Sequence, residues 1–150
     1  MNYQSSSTYG LDSINVSLMC SDDGKSWKKQ PLLITPRWDR SLPFLCGFLR
    51  SNRSWVDKMI TEYGAILCRG FEISTGADFE EAVTAYNPDL NATYRGTSPR
   101  GLIAGTKKVF SAAEVPVYYP IAQHLEMSFL RAPPEQLYFG CLQASSKVGG

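Results

Sequence analysis

The stretch Gln123-His124-Leu125-Glu126-Met127-Ser128-Phe129 sets an imidazole and a carboxylate two residues apart. If it runs extended, strand alternation projects His124 and Glu126 to one face and sends Met127 and Phe129 to the opposite layer. One strand edge then offers a single metal ion both a nitrogen and an oxygen. A third ligand from elsewhere would complete a two-histidine, one-carboxylate face, which leaves positions open on ferrous iron. His124 is the only histidine of the chain. A lone histidine is more commonly a hydrogen-bonded structural residue, so on spacing alone both readings stand.

On either side of this stretch the chain is β-prone. Val109-Phe110, Val115-Pro116-Val117-Tyr118 and Leu137-Tyr138-Phe139 are short apolar pieces separated by Gly and Pro turns, and Pro133-Pro134 is a rigid turn before the last of them. The first half reads differently. Residues 1–30 are polar, with a Ser-rich start and the turn former Asp22-Asp23-Gly24, and predict a polar N-terminal tail without regular structure. Leu32-Leu33-Ile34 predicts a brief strand.

Ser41 predicts a helix cap with Pro43 in the first turn and Leu42, Leu45, Phe48 and Leu49 buried. Ser54 predicts the cap of a second helix carrying Trp55, Met59 and Tyr63 on one stripe, ended by Gly64. Ala65-Ile66-Leu67-Cys68 reads as a buried strand. A third helix follows Gly76, burying Phe79, Ala82, Val83 and Tyr86 and closing at Asn87-Pro88. Helices first and closely spaced strands afterwards give an α+β class, a β-sandwich or barrel with helices packed outside.

Hydrophobic residues at 43% and charged residues at 19% describe a globular chain able to bury a core. A net charge of +1 provides no field that would gather nucleic acid or anionic lipid, and no apolar run reaches membrane-spanning length. Neither class of partner is expected. The four cysteines, Cys20, Cys46, Cys68 and Cys141, form no CxxC pair, and the last three sit in apolar surroundings where a reduced thiol packs as a small hydrophobe. With no secretory signal at the start, a reducing cytoplasmic location is expected.

Several motifs follow one another in a fixed order. Pro31-Leu32-Leu33-Ile34 and Gly64-Ala65-Ile66-Leu67-Cys68-Arg69-Gly70-Phe71 come first, then Tyr94-Arg95-Gly96-Thr97-Ser98-Pro99-Arg100 and His124-Leu125-Glu126-Met127-Ser128. Pro133-Pro134-Glu135-Gln136-Leu137-Tyr138-Phe139-Gly140-Cys141 and Gly149-Gly150 complete the succession. From about Pro31 onward this resembles the taurine dioxygenase (TauD/TfdA) family, especially members like the syringomycin-biosynthesis hydroxylases.

The resemblance implies a clavaminate synthase-like double-stranded β-helix, or jelly roll, with flanking N-terminal helices and a domain over 31–150. It implies Fe(II) held by His124 and Glu126 as the first two ligands, 2-oxoglutarate as co-substrate, and O2 with a small-molecule or amino-acid-like substrate. The implied chemistry is hydroxylation, with succinate and CO2 formed. Related halogenases lack the carboxylate, so Glu126 favours hydroxylation. Tyr94 and Arg100 become candidate substrate-binding residues. For Tyr94 the alternative is core packing; for Arg100, which could also orient a carboxylate in the cleft, it is a surface turn built on Pro99.

The family pattern also expects a Gly-Gly-x-Thr stretch, a distal histidine and an arginine that pairs with the far carboxylate of 2-oxoglutarate. The threonine, histidine and arginine are expected beyond Gly150. A jelly roll takes about eight strands, and the residues after Leu125 can supply about two or three of ordinary length. The expectation is therefore a truncated domain with an incomplete barrel, inactive by itself and catalytic within a longer parent. A catalytically dead binding module and a cupin-like metal-binding domain are the alternatives.

Overall fold

The structure, a computed structural model, describes residues 8–19, 31–93, 96, 100–112, 116, 118, 120 and 122–144. Three strands and three helices occupy its first part: β1 (Ile14–Leu18), β2 (Leu32–Pro36), α1 (Leu42–Ser51), α2 (Arg53–Tyr63), β3 (Ile66–Cys68) and α3 (Gly76–Tyr86). β2 is central, antiparallel to β1 with Ile14 opposite Pro36 and parallel to β3 with Leu32 opposite Ile66. Parallel neighbours need a crossover, and α1 and α2 provide it.

α1 starts where Ser41 stays extended and its hydroxyl accepts the Phe44 N–H at 3.3 Å. Pro43 costs nothing in the first turn, where its missing N–H would have had no partner. Every residue from Phe44 to Leu49 is buried, so the helix is covered on all sides rather than along one stripe. The core joins Ile14 and Ile34 of the sheet to Phe44, Leu45 and Phe48 of α1, Val56 of α2, and Ala82 and Tyr86 of α3. Phe48 contacts the edge of Trp55, with ring centres 6.2 Å apart. Gly47 is small for a reason. A Cβ there would lie 2.3 Å from Cε1 of Tyr9, whose ring covers the helix.

α2 takes Asn52 as its N-cap, so Ser54 lies inside the helix and not at its start. Asn52 donates its side-chain amide to the carbonyls of Tyr9 at 2.8 Å and Phe48 at 2.9 Å, tying the N-terminal segment to the end of α1. Gly64, at φ 77°, closes α2 in the left-handed conformation that a residue with a Cβ rarely adopts. α3 opens with a capping box: Thr75 Oγ1 accepts the Asp78 N–H at 3.1 Å, and Asp78 Oδ2 accepts the Thr75 N–H at 2.9 Å. Asn87 ends it, as the Asn-Pro pair predicts.

Several expectations are corrected. Within residues 1–30, Ile14–Leu18 pairs along β2 and Ile14 is a core residue, because only a partner strand was needed to order this alternating segment. Residues 1–7 and 20–30, including Cys20, lie outside the described residues. β3 is half-buried and Cys68 exposed, since β3 is the edge of the sheet. Cys141 is exposed as well, and Cys46 alone of the three packs in the core.

Among the described residues no strand follows Cys68; an isolated antiparallel bridge joins Leu102 and Phe110. Leu137-Tyr138-Phe139 has no ladder and is anchored by side chains instead. Val115, Val117, Gly149 and Gly150 fall outside the described residues. The described architecture is thus an open three-stranded mixed sheet with three helices, α+β in class and without a closed barrel.

Phe48→Ala removes a fully buried ring at the meeting point of all three helices and should cost about 3 to 5 kcal/mol, whereas Thr75→Ala, which loses one cap, should cost about 1 kcal/mol. Urea denaturation of the two variants measures both. Equal losses would show that the core is not centred on α1.

Candidate metal and substrate cleft

α3, the loop from Arg100 to Ala112 and the segment from Pro120 to Leu142 enclose a cleft of about 1270 Å³. Phe79 and Val83 of α3 form an apolar wall, Ile103, Phe110 and Leu137 add to the apolar lining, and His124, Glu126 and Arg100 are among its ionisable residues. The loop is ordered by its own pairing: the Ser111 N–H donates to the Gly101 carbonyl at 2.8 Å, and the Ile103 N–H to Val109 at 2.9 Å. Thr106, buried, donates its hydroxyl to the Ile103 carbonyl at 2.7 Å. The loop rests on the start of α3, where a Cβ on Gly76 would meet Ile103 Cγ2 at 2.7 Å.

His124 and Glu126 do meet, but not on a strand. Residues 122–125 are irregular, a turn opens at Glu126, and Met127 stands at φ 53°. Strand alternation therefore fails for their neighbours. Met127 lines the same cleft as the two polar residues, and Phe129 is 61% exposed rather than packed in an opposite layer. The physical reason is the turn, whose Ser128 and Leu130 N–H groups bond back to Leu125 and Met127.

His124 Nε2 lies 3.3 Å from Glu126 Oε2, and His124 Nδ1 lies 2.9 Å from the Ala122 carbonyl. A carbonyl can only accept, so Nδ1 carries a proton and Nε2 is the nitrogen turned to the carboxylate. The other carboxylate oxygen, Oε1, accepts from Arg100 Nη2 at 3.1 Å. The Arg100 and Glu126 side chains are each 18% exposed and that of His124 is 58% exposed. Hydrogen bonding to the Ala122 carbonyl, then to Glu126, raises the imidazole above its ordinary pKa of 6.5. Among the described residues no cluster of three His, Cys, Asp or Glu side chains could hold a metal. Tyr94 lies outside the described residues.

A polar network joins the cleft lining at Asn87, Gln136 and Tyr138 to α2, and no sequence motif predicts it. Tyr86 of α3 donates its hydroxyl to Asp57 of α2 and accepts from Gln136 at 3.4 Å. Tyr138 donates to Gln136 at 2.6 Å, accepts from Asn87 at 3.3 Å, and sets its ring edge-on to Tyr86 at 6.1 Å. Burial, followed by the bond to Asp57, pushes the Tyr86 hydroxyl up to about 12. Tyr86 and Tyr138 are 52 residues apart in the chain, so no local pattern announces the contact.

In the metal-free chain, His124 should titrate above 6.5 by NMR. Glu126→Gln should lower the midpoint while leaving part of the elevation, since the Ala122 bond is the larger cause. The proton is bound more tightly in the folded chain, so any stabilisation from it is present at low pH and lost as pH rises through the folded midpoint. A midpoint at or below 6.5 would show that the ring does not engage these partners.

Residues 30–150 match the family model described as taurine catabolism dioxygenase TauD, TfdA family. A clavaminate synthase-like protein of Arabidopsis thaliana is 34% identical over 110 residues, covering 73% of this chain and 32% of the relative. The dapdiamide synthesis protein DdaC of Enterobacter agglomerans is 30% identical over 95 residues, 63% of this chain and 28% of that protein. The matched stretch thus spans about a third of the length of these curated relatives. With the family model matched over four-fifths of its residues, the chain belongs to the TauD/TfdA family of dioxygenases.

Proposed function

We propose that this chain supplies the first half of the metal site of an Fe(II)- and 2-oxoglutarate-dependent dioxygenase acting on a small molecule, with His124 and Glu126 as ligands. The observation that carries this is the 3.3 Å separation of His124 Nε2 and Glu126 Oε2. Two donors at right angles on one ion, with bonds of roughly 2.1 Å, stand about 3 Å apart. The pair is already spaced for a shared cation.

The residues present fit such an ion. Donation of Nδ1–H to the Ala122 carbonyl sets the tautomer and ring orientation that leave Nε2 to bind a metal, a support ligating histidines commonly have. An arriving cation displaces the Nε2 proton, so binding weakens as pH falls below the raised midpoint of the imidazole. Ferrous iron bound there, with 2-oxoglutarate and O2, would supply the oxidising power for hydroxylation. The apolar wall of Phe79 and Val83 offers a substrate a dry surface beside the two ligands. A small-molecule substrate accords with the names of the relatives, one clavaminate synthase-like and the other a dapdiamide synthesis protein.

The third ligand and the groups that hold 2-oxoglutarate belong, on this reading, to a longer parent, and residues 1–150 do not turn over by themselves. Equilibrium dialysis with Mn(II) and an assay for succinate test both halves. The native chain should bind the ion and form no succinate, and His124→Ala or Glu126→Ala should abolish binding. Binding that survives His124→Ala would refute the ligand assignment; iron-dependent succinate formation by residues 1–150 would refute the incomplete site.

A further inference from the structure

We infer that Arg100 is a positioning residue that makes Glu126 a one-oxygen ligand. The inference rests on the metal-site reading above and adds to it how the carboxylate is held. A glutamate has several rotatable bonds and two equivalent oxygens, and it can grip a cation through one or both. In a strand, a backbone ladder would limit where such a side chain reaches. Glu126 sits instead at the start of a turn, in a segment without a ladder.

Arg100 takes the place of that constraint. Its Nη2 donates to Oε1 at 3.1 Å, while Oε2 lies 3.3 Å from His124 Nε2. The arginine is itself fixed at the mouth of an ordered loop, because the adjacent Gly101 both donates to Ser111 Oγ at 2.9 Å and accepts the Ser111 N–H at 2.8 Å. Rigidity passes from the Gly101–Ser111 pairing to the guanidinium, and from the guanidinium to one carboxylate oxygen. The second oxygen is left facing the imidazole. A chelating, two-oxygen grip would set the cation against the guanidinium charge at Oε1.

Two opposing effects decide the outcome. The guanidinium charge repels a bound cation, whereas its hydrogen bond orients the ligand. Positioning predicts that loss of Arg100 weakens metal binding; repulsion predicts that it strengthens it. A third role, direct binding of a carboxylate on 2-oxoglutarate or substrate, predicts no change in metal affinity alone.

Co(II) titration of the full chain, followed by visible absorption and calorimetry without any organic acid, separates these. Arg100→Met keeps the packed stem and removes the donors. It should weaken Co(II) binding by about 10- to 100-fold, the usual effect of removing a group that orients a metal ligand. It should also change the absorption band as the freed Oε1 joins the ion. Arg100→Lys, which retains one N–H donor for one oxygen, should restore most of the affinity and the native band. Equal or tighter Co(II) binding by Arg100→Met overturns the inference, as does failure of Arg100→Lys to recover. If His124→Ala abolishes binding while Arg100→Met leaves it intact, the positioning role alone fails. If the native chain binds no Co(II), the metal-site reading fails and this inference with it.

Discussion

The cleft side of the molecule depends on the burial of α1. Phe48, fully enclosed, meets Trp55 of α2, and the same cluster takes in Ile34 of the central strand and Ala82 and Tyr86 of α3. α3 is therefore fixed from behind, and its forward face is free to serve as a wall. Fully burying apolar side chains of this size supplies about 1.5 to 3 kcal/mol each, more than the roughly 1 kcal/mol of a typical neutral hydrogen bond. The loop that carries Arg100 rests on Gly76 at the start of that helix, and the segment that carries His124 and Glu126 continues to Tyr138, which bonds to its end.

At His124 and Glu126 themselves, order comes from side chains rather than from a backbone ladder. Glu126 divides its oxygens between a guanidinium and an imidazole, and the imidazole returns its other nitrogen to the chain two residues back. Leu125, Phe129, Phe139 and Leu142 of the same segment are exposed.

The helices were legible because each carried two agreeing signals. Ser41 with Pro43 marks the start of α1, whose residues from Phe44 to Leu49 are buried, and Gly64 marks the end of α2, where Val56 and not the Trp55–Met59–Tyr63 stripe is buried. α2 shows the limit: Ser54 was a plausible cap, yet Asn52, anchored to Tyr9 and Phe48, set the start through contacts outside the local sequence. Ile14-Asn15-Val16-Ser17-Leu18 alternates as a strand does, but it lies in a polar stretch whose composition argues against regular structure, and only Ile14 of its apolar residues is buried. The His124–Glu126 pair could be read from spacing, but its meeting came from a turn and not from the expected strand. Arg100 stood among the candidates without an assigned partner, since Glu126 lies 26 residues away. The Asp57–Tyr86–Gln136–Tyr138 network gave no local signal at all.

The central claim is that one imidazole nitrogen and one carboxylate oxygen address the same cation. X-ray absorption at the cobalt edge of the Co(II)-loaded chain tests it most directly. The account predicts the scattering pattern of a single imidazole among oxygen neighbours, lost entirely in His124→Ala. A shell of oxygens alone in the native chain, or an imidazole pattern unchanged by His124→Ala, would contradict it.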